Sequence, residues 1–371
     1  MGIKQLMSLI NEKAAAAVRK VPLETYVGRI IACDASMAMY QFIIATQFSS
    51  SQGLAMLTDD QGTPTAHLLG LFNRTILFLE HGVKPVWVFD GKPPVMKSGE
   101  LERRKKAKEE AKDNLEAAKE EGNLEAAAKF AQRTVHISRE MTEDAKLMLR
   151  LMGVPVIEAP GEAEAQCSSF VTLGSAYGVA SEDLDSLTFG AKYLLRGFNS
   201  KKEPITEVCL EEVLRAFDMP MQEFVDLCIL CGSDYTDAIQ GVGPVTAFKF
   251  IKKHHSLEAI LPELERKPKY KVPANFNYEA ARALFSAPDV LPPSHPPFTW
   301  QPPVDDQLKE FLIGGKGFAA VRVDSGLARI KKVQGKPAQT RLENFFGNAV
   351  VKRRSEPGPA KSSAKKQRKP K

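Results

Sequence analysis

The chain has 371 residues, of which 43% are hydrophobic and 26% charged, enough apolar content for a large α/β domain or two smaller domains. No apolar run approaches the roughly eighteen residues of a membrane span, and the first twenty residues carry Lys4, Glu12, Arg19 and Lys20 instead of a signal-peptide core. The formal charge is +6, but residues 331–371 hold thirteen Lys and Arg against two Glu, which leaves the rest of the chain at −5.

In chain order, MGIKQL lacks the Ser or Thr a myristoylation signal wants at its sixth position. GRIIACD then reads as a short buried strand ending on Asp34, followed by two helical stretches, ASMAMYQFIIAT and TAHLLGLFNRTILFLEHG, the second stopped at Gly82. KPVWVFD is a second strand with Asp90 at its end. A helix beginning near Ser98 would put Lys97 and Arg104 on one face, able to meet a phosphate. From Glu109 to Arg139 the charges alternate in sign on Ala-rich helices broken at Gly122, the pattern of an exposed helical excursion.

PGEAEAQC follows, with Pro160 and Gly161 breaking the chain, so that Glu162 and Glu164 fall in a helical first turn where the dipole favours anions. SAYGVASEDLD is a third strand; if it continues through the acids, Asp183 and Asp185 share a face. FVDLCILCG reads as a buried helix, so Cys228 and Cys231, with no second pair nearby, are not expected to bind zinc, and five scattered cysteines suit a reduced compartment. Asp234 sits in the turn GSDYTD, and AIQGVGPVTAFKFIKKH puts Gly241 and Gly243 in a small turn between apolar helices, suited to backbone contact with a phosphate.

Strands alternating with helices predict an α/β fold, a mostly parallel central sheet flanked by helices, and such sheets bind ligands beyond the carboxyl ends of their strands. Seven carboxylates (Asp34, Asp90, Glu162, Glu164, Asp183, Asp185, Asp234) would converge there. They cannot crowd together without cations, because like charges at close range force proton uptake. Oxygen ligands with no histidine in the acidic motifs select Mg²⁺ or Mn²⁺ over zinc. The chemistry most often run by such a site is two-metal phosphodiester hydrolysis. The basic tail, rich in Pro, Ser and Lys, is expected to be disordered; it could be a nuclear address, a nucleic-acid arm or a solubilising end. Within it Gln339, Leu342, Phe345 and Phe346 form a short apolar motif suited to a partner's groove, a small helix folded onto the parent domain being the alternative.

Taken together, CDASMAMYQF, VFDGKPPVMKSGEL, PGEAEAQC, SEDLDSLTFG, LCGSDYTDAIQGVGP and QTRLENFF resemble the flap-endonuclease branch of the structure-specific 5′ nuclease family, over nearly the whole chain. The resemblance implies a parallel-sheet nuclease core with a helical arch and a helix–two-turn–helix that grips duplex DNA, with a bound K⁺. It implies two Mg²⁺ ions held by the seven acids, and a basic pair, Lys97 and Arg104, that steers the scissile phosphate. Tyr40 would stack on an unpaired base, Arg74 and Gly232 would contact DNA, and the tail motif would bind the trimeric sliding clamp, proliferating cell nuclear antigen. The expected enzyme is a monomeric 5′-flap endonuclease and 5′→3′ exonuclease of Okazaki-fragment maturation and long-patch base excision repair. It would reside in the nucleus, nucleolus included, and in mitochondria. The matching organisation is a nuclease region over 1–108, an arch over 109–145, a second nuclease region with the DNA-gripping element over 146–260, further core over 261–330, and the tail from 331 to 371.

Two departures from the family pattern stand out. Gln47 occupies the place of a DNA-contacting arginine, and Val245 and Thr246 stand where a Lys-Arg pair is common; both lower the positive charge available to a duplex. A family member specialised for resection or repair bubbles is one alternative, though those relatives carry long extra segments. A non-catalytic DNA scaffold recruited by the clamp is the other, and a scaffold gains nothing from so many clustered acids.

Overall fold

The computed structural model of the chain describes residues 2–51, 65–198 and 204–334. Helix α1 (Leu6–Lys13) precedes β1 (Val18–Val21), and β2 (Ile30–Asp34) runs into α2 (Ala35–Ser51) and α3 (Ala66–Glu80). After β3 (Lys84–Phe89) come α4 (Ser98–Glu120), α5 (Leu124–Arg133) and α6 (Arg139–Leu151), then β4 (Val156–Glu158), α7 (Ala163–Thr172), β5 (Gly178–Ala180), α8 (Asp185–Thr188), β6 (Tyr193–Arg196) and β7 (Ile205–Cys209). The remainder is helical: α9 (Leu210–Phe217), α10 (Met221–Cys231), α11 (Pro244–His254), α12 (Leu257–Glu265), α13 (Tyr278–Ser286), α14 (Asp305–Lys309) and α15 (Ala320–Gln334).

The seven strands form one sheet in the order β1-β7-β6-β5-β2-β3-β4. From β6 to β4 every neighbouring pair is parallel, and β7 alone runs the other way, antiparallel to both β6 and β1. The sheet is therefore mixed, with the expected parallel body and a reversed strand near one edge. Alternation along the buried strands divides the core between two faces. Ala32, Val86 and Val88 join the apolar cluster built with α1, α7 and α9–α13, whereas Ile31, Cys33, Trp87 and Phe89 join the one built with α2, α3, α6, α14 and α15.

This order creates the crevice that matters. The chain passes from β2 to β3 on one side and returns, after β4, to β5 on the other, so the switch in direction lies between β2 and β5. Ligands of open α/β sheets bind outside the carboxyl ends of the strands at such a point. Both Asp34, the last residue of β2, and Asp183, just past β5, end there.

Above that edge, α4 and α5 form a helical hairpin broken at Gly122, whose φ of 69° is left-handed and favours glycine. Of α4's twenty-three residues only Ala111 and Ala118 are buried, in keeping with its sign-alternating charge.

Candidate active site

Each acid reaches the site by a different local device. Asp34 is 5% exposed; its Oδ1 accepts from the Met37 N–H at 2.9 Å, as at a helix start, and its Oδ2 from the Ser181 hydroxyl at 3.0 Å. Asp90, one residue past β3, accepts from the Ala163 N–H at 2.7 Å, which couples it to the first turn of α7. Glu162 is the N-cap residue of that helix and Glu164 lies in its first turn, as the Pro-Gly break predicts.

The third strand does not continue through its acids. It ends at Ala180, and the Ser181 hydroxyl accepts from the Asp183 N–H at 3.0 Å, turning the chain. A side chain that offers the backbone a local partner competes with the sheet ladder. Asp183 and Asp185 still meet, because the Asp183 carboxylate accepts the Asp185 N–H at 2.9 Å, but they do so at the entry to α8 and not on a strand face. Asp234 stands in the loop after α10, and its side chain turns to Lys97 and Arg104 instead of closing an Asx turn.

Six of the seven carboxylates line one cavity of about 800 Å³ between the sheet edge and the helical hairpin: Asp34, Asp90, Glu162, Glu164, Asp183 and Asp234. Asp185 lies fully buried behind them. Carboxylate oxygens of Glu164, Asp183 and Asp185 fall within 4.8 Å of one another.

Burial and mutual repulsion leave these acids poorly ionised on their own. Desolvation, then Asp90, pushes the Asp34 carboxyl up to about 7 against its hydrogen bonds. Desolvation likewise holds Glu164 and Asp185 well above the ordinary range, opposed in part by Lys97, and raises Asp183. Neither carboxylate oxygen of Asp185 has a hydrogen-bond partner among the described residues. A buried carboxylate without partners, beside two more acids and no histidine, fits a hard divalent cation.

Lys97 and Arg104 sit at the base of the hairpin and face the acids. The Lys97 ammonium bonds Glu162 and lies 3.6 Å from Glu164 and 3.5 Å from Asp234. Arg104 reaches Asp234 at 2.6 Å and Glu100 at 2.8 Å. Burial opposes both cations, but the surrounding carboxylates outweigh it and raise their pKa values.

Tyr40, half-buried on α2, lines the same cavity. Arg74 does not: from α3 it stacks over the Phe42 ring at 4.2 Å and lines a smaller cavity shared with Asp34, Ser181 and Glu182, where burial lowers its pKa to about 10. Gly232 caps α10 with a left-handed φ of 104°, and its carbonyl accepts from the Lys4 N–H at 3.2 Å. Gly241 has φ 87° and Gly243 is the N-cap residue of α11; both lie outside the cavity lining, in the turn between apolar helices that the sequence predicts. Val245 and Thr246 form the first turn of α11, so that helix presents no cation there. Cys228 and Cys231 are buried free thiols. The Gln47 side chain, and Gln339, Leu342, Phe345 and Phe346 entirely, lie outside the described residues.

Three participants escape sequence reasoning. The buried Tyr235 hydroxyl donates to Glu162 at 2.6 Å, and its place directly after Asp234 is the signal for it. Ser181 braces Asp34 while turning the chain, a role for which a Ser two residues before an Asp is a fair marker. Gly2, with φ 73°, abuts the acids so closely that a Cβ there would collide with Asp183 and Asp185.

Residues 1–111 match the XPG N-terminal domain and residues 153–234 the XPG I-region. Flap endonuclease 1-2 of Paramecium tetraurelia is 51% identical over 360 residues, covering 94% of this chain and 92% of that protein. The chain belongs to the flap endonuclease 1 family. Among solved structures, flap endonuclease-1 from Methanococcus jannaschii superposes with a TM-score of 0.66 at 27% identity, covering 85% of this chain and 96% of that one. The catalytic core of Rad2, solved in complex with DNA substrate, gives 0.68 at 23% identity over 89% of this chain and all of that one, a likeness of fold. As a flap endonuclease 1 family member the chain is a nuclease with an acidic cluster that fits metal ions, and none of its described helices is long and apolar enough to cross a membrane.

Proposed function

We propose that this protein is a Mg²⁺-dependent, structure-specific 5′-flap endonuclease with 5′→3′ exonuclease activity, acting on branched DNA in Okazaki-fragment maturation and long-patch base excision repair. The observation that carries the reading is the convergence of six carboxylates from β2, β3, the start of α7, the β5–α8 turn and the α10–α11 loop on one cavity that Lys97 and Arg104 also face.

Glu164, Asp183 and Asp185 would hold one Mg²⁺, and Asp34, Asp90, Glu162 and Asp234 would complete the coordination of a second; Mn²⁺ suits the same oxygens. When bound, the ions supply Lewis acidity at the scissile phosphate and ease deprotonation of the attacking water. The chain's own residues do the positioning. Lys97 and Arg104, charged and paired with carboxylates in the free protein, exchange those partners for the phosphate as cations and DNA enter. Tyr235 fixes Glu162, the Ala163 N–H fixes Asp90, and Ser181 with the Met37 N–H fixes Asp34. Tyr40 would stack on an unpaired base beside the cut, and Arg74 would contact DNA only after leaving its Phe42 stack.

The turn through Gly241 and Gly243, flanked by α10 and α11, supports a sequence-independent grip on duplex backbone, weakened by Val245 and Thr246, and a K⁺ would bind at this element. The QTRLENFF segment supports docking on the sliding clamp, and the basic end supports a nuclear and nucleolar address, with mitochondria as a second site, for a monomer. Replacing Phe345 and Phe346 by Ala should leave cleavage of naked DNA intact and remove stimulation by the clamp; unchanged stimulation would refute the docking motif.

The test of the main reading is cleavage of an end-labelled flapped duplex, with blunt duplex and single strand as controls, in Mg²⁺ and in EDTA. Metal-dependent release of a short product set near the junction, with little from either control, is the expected result. Flap binding without cleavage in Mg²⁺ or Mn²⁺ would overturn it.

A further inference from the structure

The cavity over the acids has two unlike walls. Opposite the carboxylates, α4, α5 and the segment after α5 contribute three cations, Arg104, Lys108 and Arg133, against one acid, Glu110. Arg104 is engaged by Asp234 and Glu100, but Lys108 and Arg133 make no ion pair or hydrogen bond among the described residues. Phe130 lines the same wall, on α5 one turn before Arg133 and on the same face.

Helix α5 packs against α2 and α4, and Phe130 lines the cavity. It is half-buried, joins neither of the two apolar clusters, and makes no ring contact with an aromatic or cationic side chain among the described residues. Val135 and Ile137, which line the same wall, do pack against the core, so the wall as a whole is not loose. Ala107 and Ala111 of α4 line the same cavity with small side chains. An aromatic face and two unpaired cations above a floor of acids match one ligand chemistry, alternating flat bases and phosphates. A volume of about 800 Å³ is large enough for a small-molecule-sized ligand, roughly 300–1,000 Å³ in general, and so for about one or two nucleotides.

We propose that Phe130 is a stacking platform for an unpaired base of the 5′ single strand under the helical hairpin, with Lys108 and Arg133 holding the phosphates on either side. This rests on the flap reading and adds to it a second base-sensing residue besides Tyr40, where the acids and basic pair sense only the backbone. Base–aromatic stacking is tolerant of sequence, so the platform would register that a flap has bases without reading which they are.

The experiment measures binding by fluorescence anisotropy, with Ca²⁺ replacing Mg²⁺, for a junction carrying a short 5′ flap of natural nucleotides and for the same flap made abasic. The full chain is compared with Phe130→Leu, which keeps apolar bulk without a π face, and Phe130→Trp, which restores one; melting curves check that the hairpin survives each change. Wild type and F130W should favour the base-bearing flap, F130L should lose about tenfold of that preference and keep only what Tyr40 supplies, and all three should bind the abasic flap equally. Equal preference in F130L and wild type, or no preference in any, overturns the platform. If wild type cuts flapped junctions in Mg²⁺ but ignores the bases, this inference alone falls; if it neither binds nor cuts them, the flap reading falls with it.

Discussion

Arg104, on the first turns of α4, donates a hydrogen bond at 2.6 Å to Asp234, in the loop that follows α10. The base of the helical hairpin is thus tied to a loop that also leads toward the Gly241 turn. Arg104→Ala removes a cation aimed at developing phosphate charge, and losing one such preorganised group lowers a rate by about 10²- to 10³-fold. Single-turnover cleavage should fall by that factor while flapped-duplex affinity changes far less. An affinity loss as large as the rate loss would assign Arg104 to binding alone.

Asp183 bridges two features, accepting from the Asp185 N–H and facing the cavity. Asp183→Ala should reduce cleavage to background yet leave flap binding measurable. Asp185→Asn, a change at a carboxylate with no partner of its own, should weaken Mn²⁺ binding in DNA-free protein, followed by electron paramagnetic resonance. Unaltered Mn²⁺ affinity would remove Asp185 from the ligand set.

Without divalent ions the protein should lose stability as pH rises. Asp34 titrates near 7 in the fold, first because burial disfavours its charge, and near 3.9 when unfolded. Between those values the folded state holds the extra proton, so unfolding free energy falls with increasing pH, by at most about 4 kcal/mol from this group. Melting temperatures in EDTA should therefore decline from pH 5 to pH 7.5, less steeply in Asp34→Asn, and saturating Mg²⁺ should remove the decline. A melting temperature that climbs over that range in EDTA would contradict it.

Tyr235 packs edge-on against Phe285, with ring centroids 5.1 Å apart, while its hydroxyl serves Glu162. Tyr235→Phe keeps the packing and deletes the hydrogen bond. Residues that orient metal ligands typically matter by 10- to 100-fold, so cleavage at limiting Mg²⁺ should drop by about that much and recover partly as Mg²⁺ is raised. No dependence of the defect on Mg²⁺ would make the hydroxyl's role structural.

Much of this site is visible in the sequence because Asp34 and Asp90 close apolar runs that could only be strands, and because the Pro160-Gly161 break announces the start of α7. The β5–α8 turn is less legible. The Ser181 marker in SAYGVASEDLD is outweighed by period-2 alternation, which extends naturally through both acids, although the Ser181 hydroxyl captures the Asp183 N–H. The reversed β7 is hidden for another reason: its direction is set by pairing with β1, a four-residue strand nearly two hundred positions earlier, and by β6. Tyr235 and Phe130 illustrate a third limit. Side chains whose meaning lies in what faces them across a cavity carry little signal among their chain neighbours.

The strand order has a practical consequence. Strands β1, β2 and β3 come from the segment before the helical hairpin and β4 to β7 from the segment after it, yet in the sheet they alternate as β1, then β7-β6-β5, then β2-β3, then β4. Neither segment can assemble the whole sheet or the full set of acids. Severing the chain at the exposed Gly122, where a Cβ would meet open space, should yield two inert pieces whose reunion is the only route to activity, which makes this fold a natural scaffold for a split-enzyme reporter of molecular proximity.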